Sequence, residues 1–460
     1  MKTATALLGS LAAVLLTRDA AAYSPGFDLF DHTSQLNFYH PANPFYPLEQ
    51  TKLPDACKVD QVHIVSRHTT RYPSKGSYNG VARIATKIKD ALAGNATTLS
   101  PEFEFLRTWD LSKMITNPTA QVENITALGL TEAFEHGAQV RSKYAHLYHK
   151  DMTVWSGSVE RVQLTAKSFM NGLFGQAAAD NHYVHLVTSN SSDKSIAGNT
   201  LTPIDTCTKF PKGIADPYQA KFVATWVPQV IARLEARWPG FGFIQDDVLG
   251  MMDLCMYEMN LSGKDQRHFC MLFTDDEWVN YGYNKDLGYF HDSSWGNPLA
   301  RTTGLPYVKA VGKLLAQPKT ASCQNIYVAF SHDTQLMAFM TAYGLNKDAA
   351  MAGEAVDRDR RLRSSRMVPM GARLVTERLN CGTQGSFVRA LVNDAVVPFE
   401  DCKDGPGLSC SIEKHLVRLK NIEAEAGDFM TKCGVVAADG LSSELKLFDN
   451  PQRNLCTNLC

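Results

Sequence analysis

The stretch Val59–Pro73, VDQVHIVSRHTTRYP, decides the fold of this 460-residue chain. Its first half is rich in β-branched and apolar residues, which predicts a buried strand over Val59–Ser66. The second half, RHTTRYP, predicts a polar turn that is closed by proline. Apolar residues at helical spacing then predict a helix over Gly80–Ala93. The stretch therefore begins a strand–turn–helix unit.

The same arrangement returns far along the chain. Asn325–Ser331, NIYVAFS, predicts a second buried strand, which runs into His332-Asp333 and then into a helix over Leu336–Leu345. Helical periodicity dominates the middle of the chain, over 131–148, 160–174, 216–238 and 244–260. Two further strands are predicted near the end, over Ala372–Leu379 and Phe387–Pro398. We therefore expect an α/β fold, a mixed sheet flanked by helices, with a mainly helical inserted domain.

The domain boundaries follow from this order of elements. We expect an α/β domain from residues 24–125 plus 300–460 and a mainly helical insertion domain from 126–299, with the site between them. Residues 23–56 are rich in proline and aromatic residues, which predicts an extended arm laid over the fold.

The beginning of the chain predicts export. Residues 1–22 combine Lys2, an apolar run and three consecutive alanines, as a cleavable signal peptide does; a buried N-terminal helix is the alternative. The sequons at Asn95, Asn124, Asn190 and Asn260 fit a secreted glycoprotein. The 11 cysteines lack metal-ligand spacing, so disulfide pairing is favoured, and their odd number leaves at least one thiol unpaired or paired between chains.

The charge of the chain limits its partners. Lys and Arg number 46 against 47 Asp and Glu, a formal charge of −1, so no basic field exists to hold nucleic acid. No later apolar stretch has the length of a membrane helix. Protonation of all 13 histidines would move the formal charge to +12, so we expect the protein to become cationic in acid.

The two polar turns are where chemistry is expected. Ligands of α/β sheets bind beyond the carboxyl ends of the strands. Arg67 and Arg71 present planar donors that match phosphate oxygens, and a neutral His68 between them could attack phosphorus. A carboxylic acid such as Asp333 could protonate the departing oxygen. The alternative is that both turns are ordinary solvated loops.

These residues resemble the histidine acid phosphatases, which have the phosphoglycerate-mutase-like fold. The family motif Arg-His-Gly-x-Arg-x-Pro is matched by Arg67, His68, Arg71 and Pro73, and its distal His-Asp pair by His332 and Asp333. A third motif matches SVERV at 158–162 and continues through Thr165-Ala166, Phe169 and Gly172. The stretches VPMGAR at 368–373 and VNDAVVP at 392–398 look most like the fungal secreted branch that contains 3-phytase B and related acid phosphatases.

The resemblance implies a role for each of these residues. His68 would be the nucleophile that forms a phosphohistidine and Asp333 the proton donor, while Arg67, Arg71, Arg161 and His332 would hold the phosphate. No metal and no other cofactor is implied. The expected partners are small-molecule phosphate esters. The family's phytate-degrading enzymes and broad phosphomonoesterases share one phosphate site, so the site alone does not distinguish their substrates, and the oligomeric state is left open. Because Asp333 would have to start protonated, the resemblance implies an acidic optimum.

The resemblance also implies four disulfides. They would join Cys57–Cys381, Cys207–Cys433, Cys255–Cys270 and Cys402–Cys410, which leaves Cys323, Cys456 and Cys460.

One residue departs from the family motif, because Thr69 stands where the family has glycine. A β-branched residue resists positive φ and close backbone approach, although its hydroxyl could donate to phosphate.

The first hypothesis is a secreted acid phosphatase that acts on phosphomonoesters, including phytate (myo-inositol hexakisphosphate). The alternative is a catalytically impaired secreted homologue that binds phosphate or phytate. Lys75, Arg83 and Lys87 could face a polyanionic substrate; the alternative for Arg83 and Lys87 is that they solvate an exposed helix face.

Overall fold

The computed structural model describes residues 24, 26–42, 46–94, 99–149, 152–175, 184–189, 196–317, 324–435 and 447–448. The strands are β1 (Lys58–Arg67), β2 (Met152–Gly157), β3 (Val184–Ser189), β4 (Ile326–Ser331), β5 (Arg373–Asn380), β6 (Ser386–Val392), β7 (Ala395–Val396) and β8 (Cys410–Ser411). The long helices are α1 (Lys75–Ala93), α2 (Ala127–Lys143), α3 (Glu160–Phe174), α4 (Asp216–Arg237), α5 (Gln245–Ser262), α6 (Asp275–Ser293), α7 (Ala300–Ala316), α8 (Asp333–Ala342) and α9 (Ile412–Ala426). Shorter α-helices span Leu48–Thr51, Leu111–Met114, Pro118–Gln121, Pro203–Thr206, Ser364–Met367 and Phe429–Cys433.

The described strands form one mixed sheet in the order β3-β2-β4-β1-β5-β6-β7, with β8 paired to β6. β1 and β4 are parallel neighbours at its centre, and β2 and β3 continue the parallel half. β5, β6 and the two short strands make the antiparallel half. The expected α/β class, with a mixed sheet and flanking helices, is confirmed.

The parallel pairing of β1 and β4 brings the two polar turns together. Arg67, the last residue of β1, lies opposite Ser331, the last residue of β4. The carboxyl ends of parallel neighbours meet at the same edge of a sheet, so residues 264 apart in sequence become neighbours. The sheet topology thus creates the site that the two strand–turn–helix units predicted separately.

The sheet is buried on both faces, as parallel strands require. Alternate side chains such as Val65 and Ala329 join the core that contains the middle helices. On the opposite face, Ile64 and Val328 pack in a second core with α2 and α3. The bounds of α3, α4 and α5 lie within two residues of those predicted, and α1, α2 and α8 differ by three to five residues at one or both ends. The helices α6, α7 and α9 were not predicted.

The strands β2 and β3 were not predicted from the sequence. Both lie within the range 126–299, yet they extend the parallel half of the sheet, and α2 and α3 pack against it. The division into an α/β domain and a helical domain 126–299 stays a prediction, but that range also contributes strands. The arm at 23–56 is not simply extended, because Leu29–His32 and Ser34–Leu36 form 3-10 helices.

The four implied disulfides are all present: Cys57–Cys381, Cys207–Cys433, Cys255–Cys270 and Cys402–Cys410. Cys323, Cys456, Cys460 and the predicted signal peptide lie outside the described residues. Across the described part of the chain, no helix combines the length and apolar character that crossing a bilayer requires.

The sequons differ in accessibility. Asn260 is only 3% exposed, and its amide donates to the Leu36 carbonyl at 3.1 Å, so the expectation of a glycan there is wrong. Asn124 is partly exposed, and Asn95 and Asn190 lie outside the described residues.

Candidate active site

His68 lies at the centre of the edge formed by β1 and β4. Its N–H donates to the Ser331 carbonyl at 3.1 Å, and its own carbonyl accepts from the Gly371 N–H at 3.0 Å. Gly371 has φ +71°, a conformation that favours glycine, and its missing side chain leaves room beside Thr69. These backbone bonds attach the nucleophile candidate to two neighbouring segments.

The imidazole of His68 is oriented by its own turn. Its Nδ1 lies 3.0 Å from the Thr69 carbonyl. A carbonyl can only accept, so Nδ1 carries the proton and Nε2 keeps its lone pair. Burial holds the pKa of His68 well below its usual value, and the guanidiniums of Arg67 and Arg71 lower it further. The ring is therefore neutral and nucleophilic over the whole mildly acidic range.

Arg67 is buried beneath the site. Its Nη1 donates to the carbonyls of Gln35 at 2.5 Å and Val368 at 2.7 Å, and its Nη2 lies 3.0 Å from Oδ2 of Asp333. A guanidinium held by two carbonyls and one carboxylate keeps a single orientation. The Gln35 contact also connects the N-terminal arm to the site.

Arg71 and Arg161 supply two further guanidiniums. Arg71 follows the His68 turn and donates to the Tyr72 carbonyl at 2.8 Å, while Arg161 lies in the first turn of α3, 3.4 Å from the Glu123 carbonyl. The Nε atoms of both are buried and donate to no atom of the described residues. Burial and the neighbouring Arg71 lower the pKa of Arg161 to about 10. Both side chains can therefore donate to an anionic ligand.

Asp333 begins α8 directly after His332. Its Oδ1 accepts from the Thr334 N–H at 2.9 Å, and its Oδ2 accepts from the Tyr289 hydroxyl at 2.9 Å. Burial raises the pKa of Asp333, but Arg67, Arg71, the Tyr289 hydrogen bond and His332 together bring it down to about 2. In the unliganded protein, Asp333 is therefore a carboxylate in mild acid, whereas the role implied for it requires a protonated carboxyl.

His332 faces the nucleophile candidate, with 5.6 Å between the centres of the two imidazole rings. Burial, followed by the positive charge of Arg161, lowers its pKa to about 4. All six predicted site residues, namely Arg67, His68, Arg71, Arg161, His332 and Asp333, thus belong to one electrostatically coupled group.

Thr69 does not have the geometry that its position in the motif suggested. It is not among the residues with positive φ, so its backbone does not require glycine. Its hydroxyl donates to the Gly129 carbonyl at 2.7 Å, which corrects the expectation that it would donate to phosphate. Gly129 lies in the first turn of α2, where a side chain would collide with the Thr70 carbonyl. The turn and this helix are therefore in close contact.

The three cations suggested for a polyanionic substrate have other surroundings. Lys87 Nζ and Arg83 Nη1 pair with the two carboxylate oxygens of the buried Asp247, at 2.5 and 2.7 Å. Lys75 is exposed on the first turn of α1, where its N–H lies 3.4 Å from a carboxylate oxygen of Glu123. Arg83 and Lys87 thus pair with a buried carboxylate of the fold, which neither the substrate-facing prediction nor the solvated-face alternative anticipated.

Sequence reasoning missed several residues that complete the site. Tyr289 on α6 contacts Asp333, and Gln35 and Val368 hold Arg67 through their carbonyls. Carbonyl contacts have no residue-type signature, and nothing in the sequence around Tyr289 indicated its partner. Among the described residues, no group of three or more His, Cys, Asp and Glu side chains could hold a metal ion.

The fold and the site indicate the class of protein to which the chain belongs, and comparison with known proteins indicates the same class. The family model of the histidine phosphatase superfamily, branch 2, matches residues 58–393, so the chain belongs to that family. The protein is an enzyme of the phosphoric monoester hydrolase class.

Curated relatives cover most of the chain. Acid phosphatase PHO1 of Komagataella pastoris is 31% identical over 86% of this chain and 84% of its own. Phytase PHO112 of Candida albicans is 31% identical over 84% of this chain and 83% of its own. The crystal structure of the phytase from D. castellii superposes with a TM-score of 0.85 at 26% identity, covering 98% of this chain and 96% of that chain.

Proposed function

We propose that this protein is a secreted acid phosphatase that hydrolyses phosphomonoesters, among them phytate, through a phosphohistidine on His68. One observation carries the proposal: Nδ1 of His68 is bound to the Thr69 carbonyl, which leaves Nε2 as a nucleophile within a group of guanidiniums. Arg67, Arg71, Arg161 and His332 would hold the phosphate oxygens and stabilise the charge that develops during transfer.

In the first step, the lone pair of His68 Nε2 forms a bond to phosphorus. The bond between phosphorus and the ester oxygen breaks, and the proton of Asp333 passes to that oxygen, so an alcohol leaves. In the second step, water attacks phosphorus and the P–N bond breaks. Asp333 now takes a proton from the water, which returns the enzyme and inorganic phosphate.

The substrate itself would enable Asp333 to act as an acid. Arg67 and Arg71 keep this carboxyl ionised in the unliganded protein. A bound phosphate adds negative charge beside the same guanidiniums, which opposes their effect and raises the pKa of Asp333. An acidic optimum would then reflect the enzyme–substrate complex rather than the free enzyme.

The impaired-homologue alternative depended on Thr69. Its φ is not positive and its hydroxyl is bound to Gly129, so the geometry around His68 does not require glycine there. The catalytic hypothesis is therefore favoured, and the decisive test is hydrolysis of an aryl phosphate at about pH 3–6, where such an acid can be protonated.

His68→Ala provides the test of mechanism. We expect it to reduce hydrolysis by at least about a thousandfold, because the nucleophile is lost, while inorganic phosphate still binds to the guanidiniums. Retained hydrolysis in the variant would disprove the phosphohistidine mechanism. An inactive unmodified enzyme that still binds phosphate would establish the impaired homologue instead.

The substrate range is proposed as broad. Relatives are named both acid phosphatases and phytases, and the D. castellii relative is a phytase. Arg83 and Lys87 are paired with Asp247, which argues against a dense cationic rim on α1. A comparison of kcat/KM for phytate and an aryl phosphate across pH would test this, and activity on phytate alone would contradict it.

A further inference from the structure

Tyr289 makes a hydrogen bond that connects α6 to the acid of the site. Its hydroxyl lies 2.9 Å from Oδ2 of Asp333. Burial raises the pKa of Tyr289 well above its usual value, and the negative charge of Asp333 adds to that rise. The phenol therefore keeps its proton and can only act as a neutral donor towards the carboxylate.

The contacts of Asp333 show why this donor matters. Oδ2 accepts a hydrogen bond from Tyr289 and Oδ1 accepts one from the Thr334 N–H, whereas Arg67 contacts Oδ2 as an ion pair with 3.0 Å between Nη2 and Oδ2. Arg67 must also donate to phosphate in the proposed mechanism, so its hold on Oδ2 weakens when substrate binds. Tyr289 then remains the side chain that holds this oxygen.

We propose that Tyr289 is a positioning residue that holds Oδ2 of Asp333 through the catalytic cycle and so orients the carboxyl group that protonates the leaving oxygen. The inference rests on the proposed function, in which Asp333 is the proton donor. It assigns to α6 a part in the chemistry, although none of the motif residues lies on that helix.

Tyr289 is also the contact of Asp333 that can be tested most cleanly. The charged or titratable groups that face Asp333 are Arg67 and Arg71 near the end of β1, Arg161 on α3, His332 beside it and Tyr289 on α6. Replacing an arginine or His332 would remove a proposed phosphate ligand as well. Tyr289→Phe removes one hydroxyl without changing any charge at neutral pH.

The experiment compares kcat and KM for an aryl phosphate from about pH 3 to 8 in the unmodified enzyme and in Tyr289→Phe. Loss of the donor destabilises the carboxylate, so the pH at which kcat falls should move upward by about one unit. We expect the acid plateau of kcat to fall by about three- to tenfold and KM to change by less than about twofold.

Tyr281→Phe is the matched control. Tyr281 lies on the same helix, is buried and donates to Asp253, which is not part of the site. It should keep the pH profile of the unmodified enzyme. If Tyr289→Phe and Tyr281→Phe have the same profile, or if Tyr289→Phe raises KM without moving the profile, the proposal is wrong.

A second variant covers the case in which Tyr289→Phe does not fold. Fluorotyrosine at position 289 keeps the size of the side chain and makes its hydroxyl a stronger donor, so the fall in kcat should move to lower pH. An unchanged profile would overturn the proposal. Inactivity of the unmodified enzyme would instead reject the proposed function, so the two failures are distinguishable.

Discussion

Nη2 of Arg67 lies 3.0 Å from Oδ2 of Asp333, so a guanidinium proposed to bind phosphate also keeps the proposed acid ionised as a carboxylate. The pKa of Asp333 is about 2 because the positive charges of Arg67 and Arg71 outweigh the opposing effect of burial. In this arrangement, phosphate binding and protonation of Asp333 are coupled through one side chain.

The coupling predicts that phosphate binding transfers a proton to Asp333. At pH 5 we expect the unmodified enzyme to take up roughly 0.5–1 more proton per bound phosphate than Asp333→Asn, since the ligand raises the pKa of Asp333. Titration calorimetry in two buffers of different ionisation enthalpy measures this difference. Equal proton uptake by both proteins would show that the proton does not go to Asp333.

The contacts of Thr69 predict that its substitution lowers the stability of the fold more than the rate of catalysis. Thr69→Gly loses the hydrogen bond to Gly129 and loosens the turn, so the free energy of unfolding should fall by about 1–2 kcal/mol. The kcat should remain within about tenfold, because Thr69 provides its carbonyl to His68 and glycine retains one. Urea unfolding and steady-state kinetics measure these effects. Thr69→Val, which loses only the hydroxyl, is the control, and a loss of kcat above a hundredfold in it would contradict this role.

The pairing with Asp247 predicts that Lys87 stabilises the fold without selecting substrate. Lys87→Met should lower the free energy of unfolding by about 1–2 kcal/mol, because it leaves the buried carboxylate with Arg83 as its remaining cation partner. Its KM for phytate should stay within about twofold. Lys89→Met, an exposed position on the same helix, should change neither quantity. A tenfold higher phytate KM with unchanged stability would place Lys87 at the substrate.

The burial of His415 predicts that the folded protein loses stability as the pH falls. Burial lowers its pKa to about 3, and neither ring nitrogen has a hydrogen-bond partner among the described residues. The unfolded chain binds this proton near pH 6.5, so stability falls as pH decreases from about 6.5 towards 3. His415→Phe should reduce the loss of unfolding free energy between pH 7 and 4 by about 1–3 kcal/mol, measured by urea unfolding at both values.

The control for His415 is a change in the same cluster that removes no titrating group. The rings of Phe399 and His415 lie 5.0 Å apart, so Phe399→Leu should lower stability by similar amounts at pH 7 and 4. An unchanged pH dependence in His415→Phe would mean that other groups cause the acid weakness.

The burial of five histidines also corrects the charge expected in acid. Burial lowers the pKa of His32 and of His332 to about 4 and that of His415 to about 3, and it holds the pKa values of His68 and His136 well below the usual value. At pH 5 these five stay neutral, so at most eight of the 13 histidines become charged and the formal charge rises from −1 to at most +7 rather than +12. The composition overstated the change because it cannot register burial.

Elements with a strong local sequence pattern were predicted correctly, and elements or residues without one were missed or found only through the family resemblance. The strands at Lys58–Arg67 and Ile326–Ser331 were predicted because continuous apolar, β-branched runs record burial on both faces. Met152–Gly157 and Val184–Ser189 were missed, because short strands among strongly periodic helices carry too little pattern. Arg161 was found only through the family resemblance, since a helix-surface arginine has no local sign of function.

The sequence by itself determined which residues are candidates for the nucleophile, the phosphate-binding arginines and the acid, because the motifs depend on residue type and order along the chain. Only the tertiary structure decided their states. Parallel pairing of β1 with β4 set Asp333 beside Arg67, and α6 added Tyr289. The pKa of a buried group depends on charges a few ångströms away in space, and those neighbours come from segments that are distant in sequence.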